Sequence, residues 1–154
     1  MAGEPADHAL GRSRGGWGTK VHLVCDRAGN PLAAVLTGGQ EPEVVHLAAA
    51  LAAVPKGLGP PKALAGDKGY SANRVRATLL AAGIEDVIAR RKDELARLPA
   101  PPAFDTGKYK RRNVIERLNG WLKERRRVAT RYEKLAVNFR AMIQLAFALW
   151  YLTP

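Results

Sequence analysis

The sequence predicts an α/β domain in which helices flank a mixed β-sheet. Short runs of partly alternating polar and apolar residues, typical of strands, are interspersed with longer Ala- and Leu-rich segments typical of helices. The turn sequence Arg27-Ala28-Gly29-Asn30 joins the first two runs and predicts a β-hairpin. Hydrophobic residues form 47% of the 154 residues, which is enough for one domain with a buried core.

The predicted order of elements is strand, strand, helix, strand, helix, strand, helix and helix. Gly38-Gly39 ends the hairpin, and Glu41 and Glu43 follow where a helix N-terminus favours negative charge. Ser71 is the candidate N-cap of the second helix, and Gly83 is its candidate stop. The predicted strands cover residues 19–26, 31–37, 62–66 and 87–88, and the predicted helices cover residues 44–54, 71–83, 110–127 and 132–152.

Two segments lack this periodicity. Residues 1–18 are rich in Gly, Arg and Ser, and we expect a flexible basic N-terminal segment ahead of a domain spanning residues 19–154. Residues from about 91 to 108 are polar and contain Pro99, Pro101 and Pro102, which is typical of an insertion or a mobile loop.

The charge balance indicates a polyanionic partner. The chain has 25 Lys and Arg residues against 14 Asp and Glu residues, a formal net charge of +11. Nucleic acid and an acidic membrane surface are both polyanions, but the basic residues do not follow one amphipathic interfacial helix. The glycine-rich stretch Gly11–Lys20 lacks the Gly-Lys-Ser/Thr ending of a phosphate-binding loop, which excludes an NTPase. Nucleic acid is therefore the expected partner, and no membrane association is expected.

Cysteine and histidine usage excludes two kinds of site. Cys25 is the single cysteine and cannot form an intrachain disulfide, and the three histidines are too scattered for a zinc site. The first residues have no basic start and no apolar run, so we expect no secretory signal and a reducing cytoplasmic location. The most apolar stretch, residues 141–152, is shorter than the roughly 20 residues of a membrane span and predicts a core helix.

Four polar residues form one stripe on the predicted helix over residues 110–127. Tyr109, Arg112, Glu116 and Lys123 fall within an arc of roughly 60° at about 100° per residue. The opposing side is apolar and should pack on the sheet; its residues are Val114, Ile115, Leu118, Trp121 and Leu122. A solvated charged face is the plain alternative to a functional stripe.

Two carboxylates that are distant in sequence are candidates for a shared site. Asp67 follows a predicted strand directly, and Glu116 lies on the later helix. An α/β sheet can bring such residues together, and paired carboxylates suit binding of Mg²⁺ or Mn²⁺ because hard cations prefer oxygen ligands. Asp67 could equally serve as a turn residue after its strand.

These residues carry a family resemblance. The spacing of Tyr109, Arg112, Glu116 and Lys123 resembles the signature around the catalytic glutamate of DDE transposases of the IS4/IS5-like insertion-sequence superfamily. Other segments are similar to the IS5 group in the same order, from about residue 11 to the end. They are Gly11–Gly16, Thr19–Leu23, Asp67–Tyr70, Arg112–Leu118 and Ala129–Leu135.

The resemblance implies a function and a fold. It implies an RNase H-like fold, which fits the predicted elements from that fold's second strand onward, and DNA transposition by two-metal cleavage and transfer of strands at insertion-sequence ends. By the same resemblance, Asp67 and Glu116 are metal ligands for Mg²⁺ or Mn²⁺. Arg112 and Lys123 contact double-stranded DNA, and Tyr109 helps to position the strand.

The chain departs from the family pattern at the first catalytic aspartate. In the family this residue lies on the central first strand, upstream of the segment that matches Gly11–Gly16. Asp7 has no flanking apolar run, and Asp26 lies at the hairpin turn, so neither is a strong replacement. We therefore expect a partial domain that lacks the first central strand and leaves its neighbouring strands with unpaired edges.

This departure keeps a second function open. By the resemblance, the chain is either the second reading frame of a frameshifted transposase or a truncated, decayed copy. The alternative function is a catalytically incomplete DNA-binding fragment that inhibits or complements full-length transposase, and homo-oligomers are a further expected arrangement. A basic cluster between the last two helices favours phosphate contact over a merely solvated surface. Its residues are Arg125, Arg126, Arg127, Arg131 and Lys134.

Overall fold

The computed structural model describes residues 8–100 and 103–152, and five strands and seven helices lie within those ranges. The strands are β1 (Gly11–Ser13), β2 (Gly16–Cys25), β3 (Pro31–Gly38), β4 (Ala63–Gly66) and β5 (Glu85–Ile88). The helices are α1 (Glu43–Ala52), α2 (Asn73–Ala81), α3 (Lys92–Ala96), α4 (Thr106–Lys110), α5 (Asn113–Lys123), α6 (Arg126–Ala129) and α7 (Ala136–Leu152). Short 3₁₀ turns cover Lys56–Leu58 and Lys68–Tyr70. The predicted α/β class is confirmed.

The hairpin of β2 and β3 forms as predicted. The strands pair antiparallel from Thr19 opposite Gly38 onward, with an irregularity between Val24 and Cys25. Asp26 organises the turn, because its carboxylate accepts hydrogen bonds from the backbone N–H groups of Ala28 and Asn30 at 2.8 and 2.9 Å. The Asn30 side chain donates to the same carboxylate at 2.8 Å. Asp26 therefore has the turn role that its position predicts.

The N-terminal part is more regular than predicted. The expectation of an irregular segment over residues 1–18 is wrong from Gly11 onward, because β1 pairs antiparallel with the start of β2, with Gly11 opposite Gly18. Gly16 has a φ of 103°, which allows the tight turn. Mostly exposed side chains in β1 explain why no hydrophobic alternation revealed this strand. Asp7, Pro101 and Pro102 lie outside the described residues.

The second sheet consists of β4 and β5. They pair in parallel, with Ala63 opposite Glu85 and Gly66 opposite Ile88, and α2 makes the connection between them. Val75 and Leu79 of α2 are buried against Ile84 and Ile88, so this unit has its own core.

Two sheets replace the single mixed sheet that the sequence predicts. Within the described ranges, β2 pairs only with β3 from Thr19 to Cys25, and β4 pairs only with β5. Helix α1 links the two sheets, because it contacts β2, β3 and the 3₁₀ turn after β4. Periodicity identifies strands, whereas tertiary packing decides which strands become neighbours, so the sequence could not reveal this division.

The predicted helix over residues 110–127 is divided into α4, α5 and α6. The backbone tightens at the first junction, where the N–H of Arg112 donates to the carbonyl of Tyr109 and that of Ile115 to Arg112, each at 3.0 Å. Arg125 has φ −82° and ψ 102°, an extended conformation that separates α5 from α6. The apolar side of α5 packs against β2 as predicted, with Leu118 and Leu122 buried.

The last helix, α7, is a core helix as predicted, although it begins at Ala136 instead of near Tyr132. Phe139 and Ile143 are buried against Leu36 of β3, and Ala146 is buried against α5. The 17 residues of α7 make it the longest helix in the described part, where no helix is long and apolar enough to cross a membrane.

Two local predictions are corrected. Ala72, not Ser71, is the N-cap of α2, because the buried Ser71 hydroxyl donates to Glu94 and accepts from Arg76, both at 2.7 Å. These bonds connect α2 to α3, which forms inside the polar segment that was predicted as an insertion or loop. The sequence did not predict the short helix Lys92–Ala96, because five residues are too few to show a hydrophobic periodicity.

Candidate functional site

Asp67 lies at the carboxyl end of β4, as the sequence predicts. Its carboxylate accepts a hydrogen bond from the backbone N–H of Gly69 at 2.7 Å and so caps the 3₁₀ turn Lys68–Tyr70. The side chain is exposed. Asp67 therefore serves as a turn residue, and its exposed carboxylate lies at the end of a strand.

A buried histidine lies behind the Asp67 turn. His22 on β2 is only 3% exposed; its Nε2 lies 2.9 Å from the Thr37 hydroxyl, and its Nδ1 lies 3.4 Å from the Tyr70 hydroxyl. A neutral imidazole donates through one ring nitrogen and accepts through the other, so the neutral ring can satisfy both hydroxyl contacts. Burial, and then the charges of His46 and Lys20, lower the pKa of His22, which keeps the ring neutral. Sequence analysis did not single out His22.

Glu43 is a second carboxylate beside the same turn, and sequence analysis assigned it only to a helix N-terminus. Its Oε1 lies 2.7 Å from Lys20 Nζ, and this hydrogen bond is the largest cause that lowers the pKa of Glu43. Burial, followed by the charges of Asp67 and Glu43, raises the pKa of the Tyr70 hydroxyl to about 12. Asp67 and Glu43 therefore both lie near Tyr70, and Lys20 offsets the charge of Glu43.

Three of the four stripe residues make contact with one another. Arg112 Nη2 lies 2.7 Å from Glu116 Oε1, and the Arg112 guanidinium lies 5.3 Å from the centre of the Tyr109 ring. Glu116 is 59% exposed, whereas the Arg112 side chain is 22% exposed, so the pair presents mainly its carboxylate to solvent. The stripe spans the junction of α4 and α5, because Tyr109 is on α4 and Arg112 is the N-cap of α5.

Lys123, the fourth residue of the stripe, lies in the last turn of α5, about 10 Å along the helix axis from Glu116 at the usual rise per residue. It is exposed and lines a cavity of about 800 Å³ beside β2. The structure therefore places Lys123 in a different environment from Tyr109 and Arg112.

The carboxylates only partly meet the requirements of a divalent ion. Asp67 and Glu116 have the oxygen donors that Mg²⁺ prefers, but one Glu116 oxygen is engaged by Arg112. Across the described residues, no group of three or more His, Cys, Asp or Glu side chains is arranged to hold a metal ion. Asp67 and Glu116 alone do not complete a metal site. Glu43, the other carboxylate described above, lies near the Asp67 turn.

The basic cluster is partly used in internal contacts. The Arg125 guanidinium lies 4.4 Å from the centre of the Trp121 ring, and Arg127 Nη2 lies 3.0 Å from a Glu133 oxygen. Arg131 donates to the carbonyls of Ala9, Glu133 and Lys134 and to the Thr19 hydroxyl, so it connects the first strands to the linker before α7. Arg125, Arg126 and Arg127 are exposed around α6.

Comparisons with known proteins agree with the motifs. The family model described as the transposase DDE domain matches residues 5–151. A Burkholderia cepacia protein described as a transposase for insertion sequence element IS402 is 37% identical over 139 residues, which cover 86% of this chain and 62% of that protein. The chain therefore spans less than two thirds of this relative's length. No solved structure gave a significant match.

Proposed function

The chain belongs to the DDE transposase family, and from this premise we propose that it acts in DNA transposition, binding double-stranded DNA at insertion-sequence ends and taking part in metal-dependent strand cleavage and transfer. The observation that carries the proposal is the Arg112–Glu116 pair beside Tyr109, whose carboxylate is exposed to solvent. An ion pair with its carboxylate exposed to solvent adds little to the stability of the fold. This pair is therefore better suited to binding a ligand than to stabilising the core.

We assign contact with the DNA backbone to cations on α5 and α6 and beside these helices. A net charge of +11 favours a polyanion, and Lys and Arg side chains bind phosphate through ionic hydrogen bonds. Arg112 and Lys123 would contact backbone or end nucleotides, and Tyr109 would position the strand. Arg131, whose guanidinium makes several internal hydrogen bonds, would act mainly by holding the neighbouring surface in place. The remaining proposed contacts are Arg125, Arg126 and Arg127.

The proposed fold is a partial RNase H-like domain. Its support is the element order and the division into two sheets, each of which has an edge without a strand partner in the described ranges. One further strand between β2 and β4 would join the two sheets into the expected mixed sheet. The domain then begins with β1 at Gly11, ahead of the boundary at residue 19 that the sequence suggested.

Asp67 and Glu116 are proposed as two carboxylate ligands for Mg²⁺ or Mn²⁺. Their support is the position of Asp67 at a strand end and of Glu116 in the first turn of α5. A third carboxylate would come from a segment outside the described residues or from another polypeptide. No catalytic step is assigned to the two residues alone, because they do not form a complete site.

The incomplete set of ligands favours a second candidate function. A chain that binds DNA without cleaving it could occupy element ends, and so inhibit full-length transposase, or it could complement a chain that supplies the missing strand. Homo-oligomers would be a third arrangement. The supporting observation is that the described residues contain no third ligand beside Asp67 and Glu116.

The test is a nicking and binding assay with the full chain and a plasmid that carries the DNA flanking its own coding region. The catalytic candidate predicts nicking in Mg²⁺ or Mn²⁺ that is abolished by Asp67→Asn and by Glu116→Gln. DNA affinity should change less than about threefold in both variants, because neither carboxylate binds phosphate directly. Asp93→Asn and Glu124→Gln are matched controls on exposed carboxylates and should retain nicking.

Each outcome decides between the candidates. Nicking that persists in both the Asp67 and Glu116 variants contradicts the catalytic proposal. Salt-sensitive binding without nicking in either metal supports the non-catalytic function, and addition of the chain to full-length transposase then shows inhibition or complementation. Absence of DNA binding contradicts both.

A further inference from the structure

The hairpin of β1 and β2 presents a large aromatic side chain to solvent. Trp17 is 67% exposed, although a tryptophan side chain usually contributes far more stability when it is buried. Arg12 lies directly opposite Trp17 in the strand register, so the two side chains share one face of the hairpin, and Arg14 lies in the turn. Both arginines are exposed. An exposed indole between cations is a surface suited to a ligand with an aromatic ring and negative charge.

Trp17 also forms part of a larger concave site. It lines the cavity of about 800 Å³, whose other walls come from β2, from the end of α5 and from the linker between α6 and α7. The linker contributes Tyr132, which is 55% exposed. The volume falls within the roughly 300–1,000 Å³ typical of sites that enclose small ligands. The cavity therefore has room for one or two nucleotides and has an exposed aromatic side chain on two of its walls.

The charge of the cavity suits a phosphate. Lys123, Arg131 and Lys134 line it, and the single acidic residue among the described lining residues, Glu133, is 8% exposed and is paired with Arg127 at 3.0 Å. The cavity thus presents excess positive charge together with flat apolar surface, which are the two features that bind the phosphate and the base of a nucleotide.

Hydrogen bonds connect the walls of the cavity. Arg131 donates to the carbonyl of Ala9 and the Thr19 hydroxyl on the strand side, and to the carbonyl of Lys134 on the linker side. The Arg131 guanidinium also lies 5.2 Å from the centre of the buried Phe139 ring. This arrangement holds Tyr132 and the β1–β2 hairpin in a defined relation, so the cavity is a built feature of the fold.

We propose that this cavity binds an unpaired nucleotide of a DNA end, with Trp17 stacked on the base, Tyr132 as a second aromatic contact, and Lys123 and Lys134 at the phosphates. Bases inside a duplex are covered on both faces by their neighbours, so an aromatic side chain can stack fully only on an unpaired or terminal base. The inference rests on the proposed DNA binding and adds a preference for single-stranded character, which the duplex contacts of Arg112 and Arg125–Arg127 do not require.

The test measures the affinity of the full chain for three fluorescent DNA probes by anisotropy: a blunt duplex, the same duplex with a three-nucleotide overhang, and a single strand. We expect tighter binding to the overhang than to the blunt duplex. Trp17→Ala should weaken binding to the overhang and to the single strand about tenfold, since stacking of one base on an aromatic side chain contributes an effect of that order. Binding to the blunt duplex should change less than about twofold.

Three controls make the result specific. Trp17→Phe should restore most of the overhang affinity, because phenylalanine retains a stacking surface. Tyr151→Ala removes another exposed aromatic side chain, outside the cavity lining, and should not alter the preference for the overhang. Thermal melting followed by circular dichroism identifies any variant that fails to fold. Trp17→Gln, which also removes the stacking ring from this exposed position, replaces Trp17→Ala in that case, with the same expected loss.

The outcomes separate this inference from the proposed function. Equal loss of blunt-duplex and overhang affinity in a folded Trp17→Ala variant would overturn the stacking role, as would no loss at all. Tighter binding to an RNA overhang than to the same DNA overhang would overturn the assignment to DNA ends. Absence of binding to the blunt duplex in the wild-type chain would instead contradict the proposed duplex contacts.

Discussion

At the scale of single residues, His22 shows how one buried polar side chain supports the Asp67 turn. Its ring is almost fully buried between Thr37 on the neighbouring strand and Tyr70 at the end of the turn. The neutral ring can satisfy both contacts because one nitrogen donates and the other accepts. Protonation would make both ring nitrogens donors and so remove the acceptor that the neutral ring offers to one of the two hydroxyl groups.

This geometry predicts a pH-dependent stability. The pKa of folded His22 lies below its ordinary value of 6.5, so the unfolded chain binds more protons between the two pKa values. The contribution of His22 is therefore fully present above about pH 6.5, and it is lost as the pH falls below that value. We measure the free energy of unfolding by urea denaturation at pH 7.5 and at pH 5.5. We expect it to fall less between these two values for His22→Gln than for the wild-type chain.

His46→Gln is the comparison variant for this measurement. It removes a nearby ring, 5.0 Å from that of His22, but not the burial that is the largest cause of the lowered pKa. The His46 variant should therefore retain most of the pH dependence. An identical pH dependence in the His22 variant and the wild-type chain would exclude His22 as its source.

At the scale of elements, α5 connects the core to the candidate site. Leu118 and Leu122 are buried against Ala146 of α7, with Leu23 and Cys25 of β2 packed around them, while Glu116 and Lys123 are exposed on the same helix. Burial raises the pKa of the Cys25 thiol to about 11, with a smaller contribution from the Asp26 charge, so this thiol is a poor nucleophile. The apolar side of α5 thus orients the polar stripe.

Removal of a core side chain from α5 should therefore destabilise the whole unit. Leu118 is fully buried, and we expect Leu118→Ala to lower the free energy of unfolding by about 2–5 kcal/mol, through lost burial and the cavity that remains. Urea denaturation followed by circular dichroism measures the effect. Leu80→Ala makes the same chemical change at a residue that is 81% exposed, and should cost less than about 1 kcal/mol. Similar losses for the two variants would contradict the packing of α5.

At the scale of the whole molecule, the net charge of +11 is concentrated partly around α6, where Arg125, Arg126 and Arg127 follow one another. Extended backbone at Arg125 separates α5 from α6, and the three arginine side chains are exposed there. Each cation that neutralises a DNA phosphate releases counterions, and this release makes the binding sensitive to salt.

The salt dependence of duplex binding therefore tests the basic cluster. Substitution of Arg125, Arg126 and Arg127 by Gln should reduce the slope of log affinity against log salt by about two to three, at roughly 0.9 per lost phosphate contact. Anisotropy with a blunt duplex over a range of salt concentrations gives the slope. The matched control substitutes Lys56, Lys62 and Arg74, which are exposed elsewhere, and removes the same charge. An equal change in slope for both triple variants would indicate a general charge effect.

Sequence pattern predicted a large part of the local structure correctly. The hairpin of β2 and β3, the helix after it, the strand directly before Asp67 and the apolar C-terminal helix all form near the expected residues. The family resemblance is also confirmed. These features depend on local turn chemistry, on hydrophobic periodicity and on motif spacing, which the chain carries in contiguous residues. The roles assigned to Asp67, Glu116 and the DNA-binding residues remain predictions.

Only the tertiary structure decided which elements became neighbours. It divided the strands into two sheets, broke the helix at Arg112 and Arg125, and placed the buried His22 behind the Asp67 turn. It also brought Trp17 and Tyr132 to the same cavity, although they are far apart in the chain. The physical reason is that strand pairing, burial and helix junctions depend on contacts between distant residues, whereas periodicity and motif spacing record only which side of a local element a residue occupies.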